Sequence, residues 1–257
     1  MGKTRLQPGI TIKSAGELAL MREAGRIVAR ALAAVEREAQ PGVSTADLDR
    51  LAEELIRGAG ALPSFKGYGG FPATLCTSIN DEIVHGIPSA ARVLQDGDLL
   101  KIDCGAVYRG WHGDAAISVA VGRAGEPAVH LMRATAEALE WGIAAAQAGG
   151  RVGDIGAAIE RAARGAGYEV VRECVGHGIG RHLHEAPTVP NYGPAGQGAP
   201  LRPGMALAIE PMLNAGTWRT THLPDGWTIT TADGQLSAHF EHTVAITEHG
   251  PQILTLP

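Results

Sequence analysis

The sequence predicts an α+β chain built as two fused halves, each running helix, helix, then strands. Three observations carry this. Segments from the two halves match at one constant interval, that from Asp47 to Asp154, and it holds in two well-separated elements. In each half, apolar residues at helical spacing precede those at strand spacing. No Ser/Pro/Gly-rich linker separates the halves, so a single domain over 1–257 is expected, with a short extension over about 1–11. The half-repeats are expected over about 12–122 and 128–250, related by a pseudo-twofold axis. The interval is far longer than the repeat of a solenoid.

The elements follow in chain order. A long helical pattern runs from Glu17 to Ala39. A second amphipathic helix lies in the stretch that starts at Val43 and closes on Gly58 and Gly60, a Gly stop signal. Leu94 to Asp103 reads as a turn followed by a strand that ends on a carboxylate, and a strand begins at Asp114. The intervening CGAVYRGWHG reads as a hairpin-like connection. The second half repeats the plan. A helical pattern spans Ala128 to Ala148, and the next helix, starting at Gly150, closes on Gly165 and Gly167. Asp47 matches Asp154, Leu48 matches Ile155 and Arg57 matches Arg164, all at the same interval. Leu201 to Glu210 matches Leu94 to Asp103 at that interval too. The strand at Glu241 matches that at Asp114 with a longer interval, so the extra residues lie between Glu210 and Glu241.

Composition narrows the function. The formal net charge is −5, with no long Lys/Arg run, which disfavours nucleic-acid binding. A 45% hydrophobic content disfavours disorder. No apolar stretch approaches the ~20 residues a spanning helix needs, and no secretory signal is visible. Cys76, Cys104 and Cys174 are odd in number and lack CxxC spacing, which fits a reducing cytoplasm.

The repeat changes how the acids are read. Asp103 and Asp114 in one half correspond to Glu210 and Glu241 in the other. A pseudo-twofold would bring all four together beside apolar strands. Like charges so placed cannot all stay ionised without a compensating cation. A pair of divalent metals is the economical solution, as in dinuclear hydrolytic sites. His177, flanked by Gly176 and Gly178, adds one imidazole to an oxygen-rich set, which favours Mn, Fe(II) or Co over a closed structural zinc.

The set Asp103, Asp114, His177, Glu210 and Glu241 resembles the methionine aminopeptidases of the pita-bread fold. So do the surrounding words: Ser78-Ile-Asn80, Val84-His-Gly-Ile-Pro88, Lys101-Ile-Asp103-Cys-Gly, Gly176-His-Gly-Ile-Gly180, Ala208-Ile-Glu-Pro-Met212 and Ser237-Ala-His-Phe-Glu241-His-Thr. The similarity runs from about Ile12 to near the C-terminus. The short stretch between His177 and Glu210 is similar to type 1, bacterial-type members.

The resemblance implies a pseudo-twofold antiparallel sheet covered by helices, and removal of the initiator methionine from nascent chains with a small second residue. It implies two divalent metals (Mn, Fe(II), Co or Zn) and attack by a metal-bridging hydroxide. Asp114 and Glu241 would bridge the metals, His177 and Glu210 would complete one, and Asp103 would chelate the other. Glu210 would serve as general base, with His85 and His184 at the substrate amide and developing oxyanion. Tyr68, Phe71, Cys76 and Trp227 would line the methionine pocket, with Phe65 and Leu183. Leu183 stands where the family carries an aromatic, and Phe65 where many members carry a small residue or Cys. Asn80 and Ser237 match positions associated with a monovalent cation. His112, His182, His239 and His242 have no ligand role in the pattern. Action in the cytoplasm as a monomer near the ribosome surface, away from membranes, completes the expectation. The rivals are an X-Pro dipeptidase or aminopeptidase of the same fold, which normally carries a large amino-terminal domain, and a binding module that has lost its ligands.

Overall fold

Alternation along four strands divides the molecule into an apolar side and a polar side. The structure, a computed structural model, describes residues 9–257; most of the expected extension over 1–11 lies outside the described residues. Leu100, Ile102, Cys104 and Ala106 point one way from the Leu99–Tyr108 strand, and Asp103 and Gly105 point the other. Trp111–Ala120 alternates in the same way, with Ala115 and Val119 on the apolar side and Asp114 and Ala116 opposite. In the second half, Leu207, Ile209, Val244 and Ile246 face the apolar side.

Helices cover that side. α1 (Ala15–Glu38) starts at a capping box in which Ser14 and Glu17 satisfy each other's main-chain N–H groups. α2 (Thr45–Gly58) is capped by Ser44, whose hydroxyl accepts from Asp47 N at 3.2 Å. α3 (Glu126–Ala145) has a proline in its first turn. At the start of α4 (Val152–Gly165) the Asp154 carboxylate accepts from Arg151 N at 2.7 Å. α1 and α2 bury one apolar core against the first half's strands, and α3 and α4 bury a second against the other half's.

The two halves coincide closely. α2 and α4 each have 14 residues, and their ends are offset by the interval seen in the sequence. Ahead of them, isolated bridges join Ser44 to Val93 and Arg151 to Pro200, again at that interval. Strands from both halves form a nine-stranded antiparallel sheet. Its central order is Leu99–Tyr108, Trp111–Ala120, Glu241–Thr247, Ala206–Ile209, Gly176–Gly178, Glu185–Val189. The seam between halves is short. Glu241 pairs with Ala116 and His242 with Ala115. Beyond them the Thr243 hydroxyl substitutes for the main chain, accepting from Asp114 N at 3.0 Å and donating to Asp114 O at 2.8 Å.

Two strand boundaries differ from expectation. The stretch CGAVYRGWHG is mostly strand, and only Arg109 and Gly110 turn, both at positive φ. Asp103 and Asp114 therefore sit within long strands rather than at their ends. The longer interval in the second half forms short strands at Met212–Asn214, Thr220–His222, Ile229–Thr231 and Ser237–His239. These make two small sheets with Glu169–Val170 and Glu82–Val84.

α1 approaches the sheet at Gly25. A Cβ there would lie 2.3 Å from Leu254 O, and one on Gly113 would lie 2.7 Å from Gly25 N. Ala normally stabilises a helix interior relative to Gly by about 0.5–1 kcal/mol. Here we expect the opposite sign. Gly25→Ala should destabilise by about 1–3 kcal/mol, the usual cost of overpacking. Urea denaturation checks this, and an unchanged or raised midpoint would show that the contact is not limiting.

Candidate metal centre

Sheet register places the acids. Cys76, Asp103, Ala116 and Glu241 face one another across four strands and form one row. Gly105 and Asp114 begin the next row, two residues along, and Ala208 and His177 end it. The pleat period of two turns both rows to the same face. Glu210 follows the Ala206–Ile209 strand directly. Gly176 and Gly178 let neighbouring strands close on His177. A Cβ at either would lie 2.3 Å from Ala208 O or 2.2 Å from Ala186 O.

All five residues line one cavity of about 170 Å³, together with Phe65, Tyr68, Phe71, Cys76, His85, Leu183, His184 and Trp227. Asp114, His177 and Glu241 each offer a ligand atom within 4.8 Å of the others. Asp103 and Glu210 border this trio rather than joining it at that distance. Asp103 Oδ1, Asp114 Oδ1 and Glu241 Oε1 are buried and make no hydrogen bond within the protein. A buried carboxylate oxygen without a partner is costly.

Burial pushes Asp103 up to about 7. Burial, then the neighbouring acids, push Asp114, Glu210 and Glu241 well above the usual carboxylate range. Burial draws His177 and His85 down to about 4, and lowers His184. His177 is thus neutral at pH 7. Its Nδ1 lies 2.9 Å from Gly178 O and donates there, leaving the Nε2 lone pair free, 3.4 Å from Glu210 Oε1. That tautomer is the one a metal ligand needs. Orphaned oxygens, a repulsive acid cluster and an oriented neutral imidazole fit a divalent cation site.

The model of Metallopeptidase family M24 matches residues 19–248. The chain belongs to this family. It is 52% identical to a methionine aminopeptidase of Clostridium acetobutylicum, over 96% of this chain and 99% of that protein. It is 53% identical to methionine aminopeptidase 1 of Mycobacterium tuberculosis, over 95% and 94% of the two chains. A solved methionine aminopeptidase from Thermotoga maritima superposes with a TM-score of 0.95 at 45% identity, covering 96% of this chain and all of the other. The chain is accordingly an enzyme, a metallopeptidase with the pita-bread fold.

In this M24 chain His184 Nδ1 is 2.7 Å from the Tyr68 hydroxyl, and its ring meets that of His177 edge-on at 4.2 Å. Phe71 and Trp227 pack edge-to-face at 5.1 Å between centroids. His85 holds φ 61°, a left-handed conformation that costs a non-glycine residue energy. The Ile229–Thr231 strand, from the longer second-half segment, pairs with Glu82–Val84 just ahead of it. That segment therefore supplies Trp227 and braces His85.

The remaining histidines lie off the cavity lining. His112 Nδ1 meets Ser64 Oγ at 3.0 Å, and His242 Nδ1 meets Thr255 Oγ1 at 2.8 Å. His182 is exposed. His239 is fully buried, and neither ring nitrogen has a hydrogen-bond partner. Thr243, whose hydroxyl closes the seam at Asp114, was not among the residues expected to matter. Its position two residues beyond Glu241, on the same face by alternation, was the available signal.

Burial of Asp103 gives the metal-free protein a pH dependence. The folded-state pKa of Asp103 is raised, so its stabilising contribution is present at acid pH and is lost as pH rises from about 4 to about 7. Metal-free Asp103→Asn should therefore gain on metal-free wild type as pH rises from 5 to 8. The ceiling is about 4 kcal/mol for a shift of this size. Saturating Mn(II) should reverse the order. Thermal midpoints across that range decide it, and a flat gap in metal-free protein would show that burial does not raise Asp103 in this way.

Proposed function

We propose that this chain acts as one catalytic domain that removes the N-terminal methionine from nascent polypeptides whose second residue is small. The carrying observation is the convergence of Asp103, Asp114, His177, Glu210 and Glu241 on one cavity whose remaining lining is mostly apolar. The similarity to methionine aminopeptidases over nearly the whole chain supports it.

Two divalent ions would be held by the five residues, Asp114 and Glu241 being central enough to serve both; Mn, Fe(II), Co and Zn all accept such ligands. Bound there, they would lower the pKa of water and polarise the scissile carbonyl. The chain's own groups do the rest. Glu210, 3.4 Å from His177 Nε2, accepts the proton of the attacking water and returns it to the leaving amine. With His184 Nδ1 accepting from the Tyr68 hydroxyl, its other nitrogen carries the proton and donates to the developing oxyanion. His85, kept neutral by burial, orients the substrate amide. Tyr68, Phe71, Cys76 and Trp227 with Phe65 and Leu183 enclose an unbranched apolar side chain and exclude water.

Action on nascent chains near the ribosome surface, in the cytoplasm and as a monomer, belongs to the same reading. Among the described residues, no helix is long and apolar enough to cross a membrane.

Hydrolysis of Met-Ala-Ser against an Ala-Pro peptide, after Mn, Fe(II) or Co is added to metal-free protein, tests the proposal. Release of methionine from the first alone is expected. Cleavage of only the Pro peptide would identify an X-Pro enzyme, and no cleavage with any metal would favour a binding module. Glu210→Gln and Asp114→Asn should each lower kcat/KM by about 10²-fold or more. Near wild-type turnover in either, at saturating metal, would refute these roles.

A further inference from the structure

Lys101 is the largest fully buried side chain with a charge, at 1% exposure. It projects from the face that carries Asp103, one row further along, opposite Ser78 and Ser118. Its Nζ donates to Asn80 O at 2.7 Å and to Leu99 O at 3.4 Å. The Asn80 carbonyl also accepts from Ser237 N at 3.1 Å. A carbonyl oxygen has two lone pairs, and both are occupied.

Asn80 is itself tightly fixed. It adopts φ 55°, its amide donates to Asp98 Oδ1 at 2.8 Å, and its side-chain oxygen accepts from Leu99 N at 2.9 Å. This carbonyl is a junction. Ser237 belongs to the longer segment that supplies Trp227, Lys101 to the central strand, and Asn80 to the turn leading to His85. An amine held by two main-chain carbonyls borrows the chemistry of an alkali cation site. Asn80 and Ser237 are the positions expected to hold such an ion. The Asn80 carbonyl does not fit one here, because the amine and Ser237 N already take its two lone pairs.

We infer that the Lys101 side chain fills, from within the chain, the place at the Asn80 carbonyl that a monovalent cation would take, and that this protein needs no such ion. The position matched to Lys101 in the second half is Ala208, so the device belongs to one half only. Burial draws the Lys101 pKa down to about 7, against the pull of Glu82, Asp81 and Asp98. Two N–H donors are used, and both protonation states supply two, so the contact persists either way.

The test uses metal-free protein first, so that it does not depend on the peptidase reading. Thermal midpoints are measured in KCl, NaCl and choline chloride at equal ionic strength. For wild type the three should agree. In choline chloride, Lys101→Met should melt lower by roughly 4 °C or more, the effect of losing the buried hydrogen bonds from the amine to the Asn80 and Leu99 carbonyls. KCl or NaCl should return at least half of that loss. With divalent metal restored, KM for Met-Ala-Ser should rise several-fold in the variant and recover with K⁺ or Na⁺. Lys101→Gln, which keeps a donor, should fold if Lys101→Met does not, and should be intermediate. A wild-type midpoint that rises by several degrees in KCl or NaCl over choline would overturn the inference. So would a loss in the variants that neither cation restores.

Discussion

Acids held out of water at close quarters set the terms for everything else here. Asp103, Asp114, Glu210 and Glu241 cannot all be ionised in this cavity without a counter-charge. The protein bears the cost because each half secures its own acids from behind. α1 and α2 bury an apolar core against the strands that carry Asp103 and Asp114, and α3 and α4 do the same for those that carry or lead to Glu210 and Glu241. Strand alternation then ensures that what is apolar on one face is acidic on the other. Four of the five proposed ligands are placed by pleat geometry and duplication, and the fifth, Glu210, directly follows a strand.

Duplication supplies symmetry, and departures from it supply function. The longer second-half segment braces His85 through Val84 and adds Trp227 to the cavity wall. His177 enters beside Ala208, where the first half instead sets Ser78 beside Lys101. One half contributes an imidazole to the metal centre, and the other contributes an amine that ties down a backbone junction. A strictly symmetric dimer of half-domains would have neither distinction.

Much of this was legible in the sequence because duplication converts ordinary residues into paired observations. A single Asp after an apolar run says little; Asp103 and Glu210, each after Ile at the same interval, say that a site lies on an axis. The helices were legible for the same reason, and α2 and α4 match residue for residue in extent. Strand length was not. CGAVYRGWHG contains glycines and a charge that resemble a loop, yet Gly105 and Gly113 are required by close packing against Ser64 and α1, and the true turn is only Arg109-Gly110. The short strands between Glu210 and Glu241 were also hidden, since elements so brief carry no periodicity. Lys101 was visible only as part of a word, because composition cannot distinguish a buried lysine tied to carbonyls from a solvated one. The convergence of Phe65, Leu183 and Trp227 was legible only through the family resemblance, since three distant segments must meet and periodicity does not encode that.

The narrow seam between the halves has a mechanical meaning. Two residue pairs and one threonine hydroxyl join the central strands there. The proposed ligands straddle that line, Asp103 and Asp114 on one side, His177, Glu210 and Glu241 on the other. A cation held by both groups would be a rivet through the joint, adding to what holds the halves together. Each apolar core is a separate reservoir of cohesion, and a bound cation would add one more tie between them beside the pairing of Ile229–Thr231 with Glu82–Val84.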